Sequence, residues 1–432
     1  MLVGSSRVDI TPKVGSPLAG YSNRSSFSTG IHDDLHARTL IMDDGEERAG
    51  VISCDLIGVL PEMTERARGL ARDIGIPDGN LMVCAFHTHS GPTPDLGYGD
   101  MDDYMDRLSA KLAESVEEAA STLETAESGI YRAEAAGLTI NRRHPQGGPV
   151  DPELIALSWK GTGGYLAHLV NFSCHAVVLG WDNTLISADY PGYAMRMIEE
   201  RTGATCLFTN GACGDINPLT EGLRRRMMEG GDIYDRRGGR FGEASLLGHH
   251  LARIVLDNVD DVERAPASID CRTHTFEAHA HPPGGKVEVE GRISELESAL
   301  PRMEREGAPA DELYRTGLEL SFLRRTLAAL ERGSVPVELQ GIRIGDAVLL
   351  GIPGEVFVEI GLRIKEKARS MGLTALVVEL ANDYLSYLPT ETAFGEGGYE
   401  VEIARSLGYG PEIGDQIVSG AGALLEDLDR EF

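Results

Sequence analysis

The chain has 432 residues, 42% hydrophobic and 25% charged, which is typical of a globular protein with a sizeable core. Its formal net charge of −28 excludes nucleic acid and anionic membranes as favoured partners, so a small neutral or cationic substrate is expected, unless the acidity only reflects the solubility regime of the host. No apolar run reaches the roughly 18 residues that span a bilayer, and the N-terminus lacks the basic and apolar regions of a secretory signal.

The first half of the chain alternates between strand and helix patterns. Residues 1–30 are rich in Gly, Pro and Ser and are expected to form a wrapping loop. The apolar spacing then predicts, in chain order, strands at 36–43 and 49–54, a helix at 62–74, a buried run at 81–86, a helix at 101–122, strands near 129–135, 153–159 and 165–172, a helix at 189–202 and a strand at 204–209. A long loop is expected over 213–243, and such loops are usually functional or mobile.

The second half opens with a change of character. Residues 290–332 combine helical spacing with paired charges and predict a helical hairpin, broken near Gly307-Ala308-Pro309. The patterns beyond it predict strands at 336–343 and 346–352, a helix at 355–370, a strand at 374–380 and a polar loop at 382–400. We predict an α/β fold, with α+β as the alternative, in which helices flank mixed sheets. Residues 1–432 are expected to form one domain, with 290–332 inserted as the hairpin.

The six cysteines mostly lie inside or just after apolar runs. This placement predicts buried free thiols in a reducing compartment, and hence a cytoplasmic protein. The sequence has no pair of cysteines separated by two residues, which disfavours a thiolate zinc site.

The motif His87-Thr88-His89 directly follows the apolar run LMVCAF. Residues two apart in an extended segment point to the same side, so both histidines can face one site. Neutral imidazole is a common zinc ligand, and a neighbouring imidazole can act as a base. Taken alone, the pair fits two surface or capping histidines equally well.

Five apolar runs each lead into polar, Gly-rich or ligand-type residues. These residues are His87, His175, the turn 210–218, Pro353-Gly354-Glu355 and the segment 381–387. In open α/β sheets, ligands bind outside the carboxyl ends of the strands. We therefore expect an active site where these five strand ends meet.

Eight motifs spread over nearly the whole chain resemble those of the neutral (non-lysosomal) ceramidases. They are Asp9-Ile10-Thr11-Pro12, HTHSGP at 87–92, Asn141-Arg142-Arg143, the segment 171–175, Ser187-Ala188-Asp189-Tyr190, Gly214-Asp215-Ile216-Asn217-Pro218, Pro353-Gly354-Glu355 and Ala381-Asn382-Asp383-Tyr384. Each motif is unspecific alone, and together they are specific.

The resemblance implies one zinc ion per chain, bound by two His, one Glu and one Tyr. By motif position, the expected ligands are His87, His175, Glu355 and Tyr387. Taken without the resemblance, Tyr387 also fits a core tyrosine with a satisfied hydroxyl, and Glu355 also fits a carboxylate at a helix N-terminus.

Other residues are expected to act on the substrate or to bind it. By the same resemblance, Arg142 and Tyr399 lie near the substrate carbonyl, where they would stabilise an oxyanion. His89 would lie beside the metal or the substrate and relay a proton to the leaving amine. Arg142 also fits a surface ion pair. The remaining predicted substrate contacts are Asn217, which would orient the substrate, and Gly214, Asp215 and Asp189.

Two departures from the family pattern affect the expected substrate. The family carries a serine that is essential for amide cleavage where this chain has Asn217, whose amide can form hydrogen bonds but cannot act as a nucleophile. The family's C-terminal immunoglobulin-like domain is also expected to be absent, so the resemblance is to the catalytic domain. Both departures argue against a membrane ceramide and leave the metal site intact.

We therefore predict a zinc-dependent hydrolase that cleaves a linear amide, an N-acyl amine, through a metal-activated water. The substrate is expected to be a small molecule, smaller or more soluble than ceramide, with no nucleic acid partner and no stable membrane insertion. The oligomeric state stays open. One alternative is a zinc-stabilised pseudoenzyme or binding protein that lost activity with the change at Asn217. Another is a cysteine hydrolase that uses Cys213, although a buried thiol is the expected role of that residue.

Overall fold

The computed structural model describes residues 1–430, apart from 22, 25, 93–99, 261–262, 265 and 281–284, without the side chains of 100–103, 310, 311 and 314. Residues 431–432, at the end of the predicted domain, lie outside the described residues. The strands of the described residues are β1 (Leu2–Asp9), β2 (Gly30–Ile31), β3 (His36–Asp43), β4 (Arg48–Cys54), β5 (Leu81–Ala85), β6 (Glu124–Glu134), β7 (Thr139–Asn141), β8 (Glu153–Gly161), β9 (Gly164–Phe172), β10 (Leu185–Ile186), β11 (Thr205–Asn210), β12 (Ile216–Pro218), β13 (Glu263–Arg264), β14 (Ile269–His279), β15 (Ser334–Ile344), β16 (Ala347–Ile352), β17 (Glu355–Val356), β18 (Thr374–Glu379) and β19 (Tyr387–Leu388).

The α-helices of the same residues lie between these strands and after them. They are α1 (Pro61–Asp73), α2 (Asp100–Ser121), α3 (Asp189–Thr202), α4 (Glu221–Met228), α5 (Phe241–Asn258), α6 (Lys286–Glu306), α7 (Ala310–Arg332), α8 (Val358–Ser370), α9 (Glu391–Glu396), α10 (Tyr399–Ser406) and α11 (Ile413–Arg430). A short 3₁₀ turn over Asp78–Asn80 precedes β5.

Two mixed sheets form the centre of the fold. The larger has the order β11-β9-β8-β6-β1-β3-β4-β5, with β13 on β6, and its parallel pairs are β9 with β11 and β4 with β5. The smaller has the order β14-β15-β16-β18, and only β16 with β18 is parallel. Helices flank both sheets, which confirms the predicted α/β class.

The central strands are buried on both faces, as β5 and β16 illustrate. In β5, Leu81 and Val83 belong to the apolar core shared with helices, whereas Met82 lies in the core between the two sheets. In β16, Leu350 faces helices and Leu349 faces the other sheet. Burial on both faces explains why these strands are continuous apolar runs without polar alternation.

The two sheets are also joined by hydrogen bonds at one edge. The backbone nitrogen of Asn382, which follows β18, donates to the carbonyl of Val83 in β5 at 2.7 Å. The Val83 nitrogen donates in turn to Asn382 Oδ1 at 2.9 Å. This contact brings the carboxyl ends of β5 and β18 together, so residues that follow strands of different sheets meet at one place, as predicted.

Four stretches that we expected to be irregular or helical are built differently. Residues 1–30 contain β1, which pairs along its whole length with β3 in the larger sheet. The expected loop 213–243 contains β12 and α4, and the expected loop 382–400 contains β19, α9 and the start of α10. The helix expected at 355–370 begins only at Val358, because Glu355–Val356 pairs as a strand with Tyr387–Leu388. Composition averaged over these stretches hid short elements that long-range pairing stabilises.

The predicted helical hairpin is present as α6 and α7, joined through Gly307 in a left-handed conformation. It has a small apolar core of its own, which includes Ile293, Leu296 and Leu320. All six cysteines are buried and free, as predicted. Within the described part of the chain, no helix is long and apolar enough to cross a membrane.

Candidate metal centre

Two histidines are held in the same tautomer by backbone carbonyls. His87 follows β5 with a φ of 68°, and its Nδ1 donates to the carbonyl of Ile57 at 2.5 Å. His175 follows β9, and its Nδ1 donates to the carbonyl of Cys213 at 2.6 Å. Because Nδ1 carries the hydrogen in each neutral ring, both Nε2 atoms present a lone pair, which is the form that binds a metal ion.

Glu355 places one carboxylate oxygen beside both of these Nε2 atoms. Its Oε2 lies 3.3 Å from Nε2 of His87 and 3.2 Å from Nε2 of His175. Three lone-pair atoms at these distances repel one another unless a cation or protons lie among them. A tetrahedral ion with bonds of about 2.0 to 2.1 Å holds its ligand atoms about 3.3 to 3.4 Å apart. The spacing around Glu355 therefore fits three ligands of one metal ion.

The charges of this group are coupled. Burial opposes ionisation of Glu355, but His87 and His175 hold the pKa of its carboxyl well below the ordinary value. Burial and the nearby Arg142 guanidinium lower the pKa of His175 to about 4, so this ring stays neutral. For His87, burial acts in the same direction, but Glu355 more than offsets it and raises the pKa, so a proton and a metal ion compete for the space between its Nε2 and Glu355.

Tyr387 reaches the site because β17 pairs in parallel with β19, which sets Glu355 opposite Tyr387. Its hydroxyl oxygen accepts a hydrogen bond from Arg142 Nη2 at 3.1 Å. A second tyrosine, Tyr384, donates its hydroxyl to Glu355 Oε1 at 2.8 Å, so the carboxylate is held at one oxygen and free at the other. The fourth predicted ligand thus lies next to the third, with an arginine directed at its oxygen.

His89 differs from the other two histidines in its surroundings. Both ring nitrogens are buried, and neither has a hydrogen-bond partner among the described residues. Burial, with His87 and His175 beside it, lowers the pKa of His89 well below its ordinary value, so the ring is neutral. Nitrogens of all three histidines lie within 4.8 Å of one another and could hold a metal ion as a group. His89 is therefore placed either as a further ligand or, as predicted, beside the metal.

Gly20 fixes how closely the chain can approach His89. A Cβ atom at Gly20 would lie 2.3 Å from Cγ and Nδ1 of the His89 ring, and the φ of Gly20 is +93°. The Tyr21 ring also packs against His89, with the two ring centroids 4.8 Å apart. Only glycine fits at position 20 without moving the ring.

Arg142 is buried behind the ligand set and has several partners. Its Nε donates to Glu400 Oε1 at 2.7 Å, and its Nη2 donates to the Gly214 carbonyl at 2.7 Å as well as to Tyr387. Its Nη1 lies 3.4 Å from Asn217 Oδ1. Arg142 is not one of the residues that line the adjoining cavity. These contacts favour a role in holding Tyr387 over the predicted direct contact with the substrate.

The other predicted substrate contacts also lie behind the cavity wall. The Asp215 carboxylate accepts hydrogen bonds from Asn141 Nδ2 and from the backbone nitrogen of Val358. The Asp189 carboxylate accepts hydrogen bonds from the backbone nitrogens of Leu179 and Tyr190. Four residues of two motifs were predicted to contact the substrate, namely Asp189, Gly214, Asp215 and Asn217. None of them lines the cavity. Their contacts are with backbone groups and neighbouring side chains of the fold, and their roles toward the substrate stay predictions.

A cavity of about 430 Å³ opens above the histidines. Tyr399, at the start of α10, lines it and is 54% exposed, so its hydroxyl is available to a substrate. The remaining lining combines site residues with apolar side chains from three places. These are Leu318 and Phe322 of α7, Ile403 of α10 with Leu407 just beyond it, and Ile57 and Leu60 just before α1.

Cys213 is buried, as expected, and does not reach the cavity. Burial and the Glu379 carboxylate beside it raise the pKa of the thiol well above its ordinary value, which is the opposite of an activated nucleophile. Its thiol donates to Glu379 Oε1 at 2.8 Å. His175 Nδ1 lies 3.4 Å from the Cys213 sulfur, but this nitrogen donates its hydrogen to the Cys213 carbonyl and cannot act as a base toward the thiol. The contacts of Cys213 therefore disfavour the cysteine hydrolase alternative.

Sequence reasoning missed several residues that the site brings together. Tyr384 ends the motif Ala381-Asn382-Asp383-Tyr384, and only its proximity to Glu355 in the folded chain gives it a role. Glu379 ends an apolar run, and an acidic residue in a strand predicted to be buried could have marked it as a candidate from the sequence. Glu400 follows Tyr399 directly, and its pairing with Arg142 comes from distant parts of the chain.

Backbone strain also marks this region. Among the described residues, those other than glycine with a positive φ are His87, Asp189, Leu380, Asn382 and Ser386. Three of the five lie in the segment that leads from β18 to Tyr387. Such conformations cost on the order of 1 to 3 kcal/mol each and persist only where the surroundings enforce them, which is common at functional sites.

Comparison with known proteins agrees with the fold and the motifs. The neutral ceramidases of Pseudomonas aeruginosa and Mycobacterium tuberculosis are each 25% identical to this chain, over 94% and 92% of it and over 69% and 73% of their own lengths. The neutral ceramidase of Drosophila melanogaster is 21% identical over 95% of the chain and 72% of its own length. The crystal structure of the Pseudomonas aeruginosa enzyme covers 99% of this chain and 74% of its own, with a TM-score of 0.73 at 21% identity.

A family model gives the assignment. The model described as neutral/alkaline non-lysosomal ceramidase, N-terminal, matches residues 1–226, more than half of the chain. The match includes His87, His175 and the turn that holds Asn217. It confirms the resemblance seen in the motifs, and the chain belongs to the neutral/alkaline non-lysosomal ceramidase family.

Proposed function

We propose that this protein is a metal-dependent hydrolase that cleaves a linear amide, with one zinc ion held by His87, His175, Glu355 and Tyr387. The observation that carries the proposal is the position of Glu355 Oε2, 3.2 to 3.3 Å from two imidazole nitrogens whose hydrogens are on their far sides. The names of the relatives, neutral ceramidases, support an amide as the bond that is cleaved.

The donor set favours zinc over harder divalent ions, since two imidazoles, a carboxylate and a phenol suit zinc better than an all-oxygen set would. When bound, the ion supplies Lewis acidity that polarises a carbonyl and lowers the pKa of water. Tyr384 and the backbone carbonyls of Ile57 and Cys213 hold three of the ligands in their orientations. Arg142 donates to the Tyr387 oxygen and so favours its ionised form.

The side chains that face the cavity carry the remaining steps. His89 is neutral and has two free nitrogens, so it can take up a proton and return it to the leaving amine. Tyr399 directs a hydroxyl into the cavity from α10 and can donate to the carbonyl oxygen as negative charge develops. In this proposal His89 and Tyr399 touch the substrate, whereas Arg142 acts through Tyr387.

We further propose a substrate smaller than ceramide. The cavity volume of about 430 Å³ lies in the lower part of the roughly 300 to 1,000 Å³ range of small-molecule sites. Its wall from α7 and α10 includes the apolar side chains Leu318, Phe322 and Ile403, beside the charged Glu319 and Arg325. A short or medium N-acyl chain fits such a wall, and the hairpin limits how far it extends.

The alternative of a zinc-bearing pseudoenzyme rests on one observation. Asn217 replaces the family's serine, and its Oδ1 lies 3.4 Å from Arg142 Nη1 without reaching the cavity. Because the residue contacts Arg142 and lies outside the cavity, we favour an active enzyme in which position 217 tunes the arginine. The pseudoenzyme is supported instead if Asn217→Ser creates an activity that the native protein lacks.

The test is hydrolysis of a panel of N-acyl amines with acyl chains of increasing length. Native protein, protein stripped with a chelator, and stripped protein with zinc restored are compared, with His175→Ala as the inactive control and His250→Ala, at an exposed histidine of α5, as the matched active control. We expect turnover that is lost with the metal and regained with zinc, and that declines for the longest chains. Turnover that survives complete metal removal contradicts the proposal.

A further inference from the structure

Glu379, the last residue of β18, is fully buried and takes no part in the proposed chemistry. Its Oε2 accepts hydrogen bonds from the backbone nitrogen of Cys213 at 3.1 Å and from that of Val356 at 3.3 Å. Its Oε1 accepts the Cys213 thiol at 2.8 Å. One carboxylate thus holds two chain segments that are far apart in sequence.

Both segments carry parts of the metal centre. The carbonyl of Cys213 is the acceptor that fixes the tautomer of His175, at 2.6 Å from its Nδ1. Val356 directly follows Glu355, and its carbonyl accepts the backbone nitrogen of Gly214 at 2.8 Å. Glu379 therefore sets the distance between the support of His175 and the segment of Glu355.

The electrostatics of the centre leave this role to hydrogen bonds. Glu355 and Glu379 are both buried, and in the described part of the chain neither forms an ion pair with a lysine or an arginine. Burial raises the pKa of Glu379 to about 8, so its carboxyl adds no full negative charge near neutral pH. Its three contacts with Cys213 and Val356 therefore carry its effect on the metal centre.

We propose that Glu379 is a positioning residue of the metal centre, which holds the Cys213 carbonyl against His175 and ties this segment to the one that carries Glu355. The inference rests on the proposed metal site. It assigns to Glu379 a place outside the ligand set and predicts that metal affinity depends on it.

The test is Glu379→Gln, which keeps the shape of the side chain and replaces one of its two acceptor oxygens by an amide donor. Metal affinity is measured by competition with a chromogenic chelator, and the thermal unfolding midpoint is measured on the metal-free protein. Loss of an outer partner of a metal ligand typically weakens affinity by about 10- to 100-fold, and we expect a loss of this size. The matched control is Glu199→Gln, at a partly buried carboxylate of α3 that pairs with Arg38 and should leave metal affinity unchanged.

A second readout separates positioning from general stability. Zinc is spectroscopically silent, so the proteins are also loaded with Co²⁺, whose visible absorption reports the geometry of its ligands. We expect a changed Co²⁺ spectrum in Glu379→Gln and the wild-type spectrum in Glu199→Gln. If Glu379→Gln does not fold, Glu379→Asp decides, since it keeps both acceptor oxygens and shortens the arm. For that variant we expect at least threefold weaker metal binding.

The outcomes distinguish this inference from the proposed function. Wild-type protein that binds no metal overturns both. Wild-type protein that binds zinc while Glu379→Gln, or Glu379→Asp in its place, binds it equally well overturns the role of Glu379 alone. Weaker binding in the variant, with metal-free stability close to that of the Glu199→Gln control, supports the inference.

Discussion

Replacing Gly20 by alanine should displace His89 without touching a ligand. The added Cβ would lie 2.3 Å from two atoms of the His89 ring, whereas ordinary contacts begin at 3.4 Å, so the ring must retreat by about 1 Å. A misplacement of about 1 Å in a reacting group can cost about 100-fold in rate. We therefore expect kcat/KM of Gly20→Ala to fall about 100-fold, with the metal content unchanged.

The matched control is Gly15→Ala, in the same N-terminal segment. Gly15 has a φ of +96°, close to the +93° of Gly20, but nothing lies within 4 Å of its Cβ position. Both variants share a backbone strain of about 1 to 3 kcal/mol. The clash at position 20 adds an overpacking cost of about 1 to 3 kcal/mol, so the unfolding midpoint of Gly20→Ala should fall further. Steady-state hydrolysis of the best substrate and metal analysis are measured on both. Equal activity in the two variants, or loss of metal in Gly20→Ala, would refute the placement of His89.

Three further predictions follow from single contacts. Burial lowers the pKa of His168 to about 4 in the folded protein, whereas the unfolded chain keeps the ordinary value near 6.5. As pH falls from about 6.5 to 4, the unfolded state binds a proton that the folded state does not, and up to about 3 kcal/mol of stability is lost. When thermal unfolding is measured across that pH range, His168→Gln should therefore lose less stability than the exposed-site control His250→Gln. Equal losses in the two variants would argue against the role of His168. Tyr387→Phe removes the acceptor of Arg142 and should weaken metal binding at least tenfold in chelator competition, and native affinity would exclude Tyr387 as a ligand. Asn217→Ala should lower kcat/KM by roughly tenfold to a thousandfold, and native rates would show that position 217 is not needed.

The sequence allowed the strand ends to be predicted because each buried strand is a continuous apolar run that stops where a site residue begins. His87 after β5 and His175 after β9 are examples. The pairing of Glu355 with Tyr387 was not predictable in this way. Each belongs to a two-residue strand, and such strands exist only through contact with each other.

The supporting contacts were also outside the reach of sequence patterns. Glu379 and Cys213 are separated by 166 positions, and Arg142 and Glu400 by 258. No local periodicity links residues so far apart, so only folding shows that these polar groups meet. The same limit applies to Asp215, because its contacts with Asn141 and with the backbone nitrogen of Val358 also join distant parts of the chain.

The proposed chemistry depends on a single metal ion bound by His87 and His175, with His89 beside it. The most direct measurement is the metal content per chain, by native mass spectrometry, of the wild type, His175→Ala and His89→Ala. We predict one zinc ion in the wild type, none in His175→Ala and one in His89→Ala. A wild type without metal, or loss of metal in His89→Ala equal to that in His175→Ala, would contradict the claim.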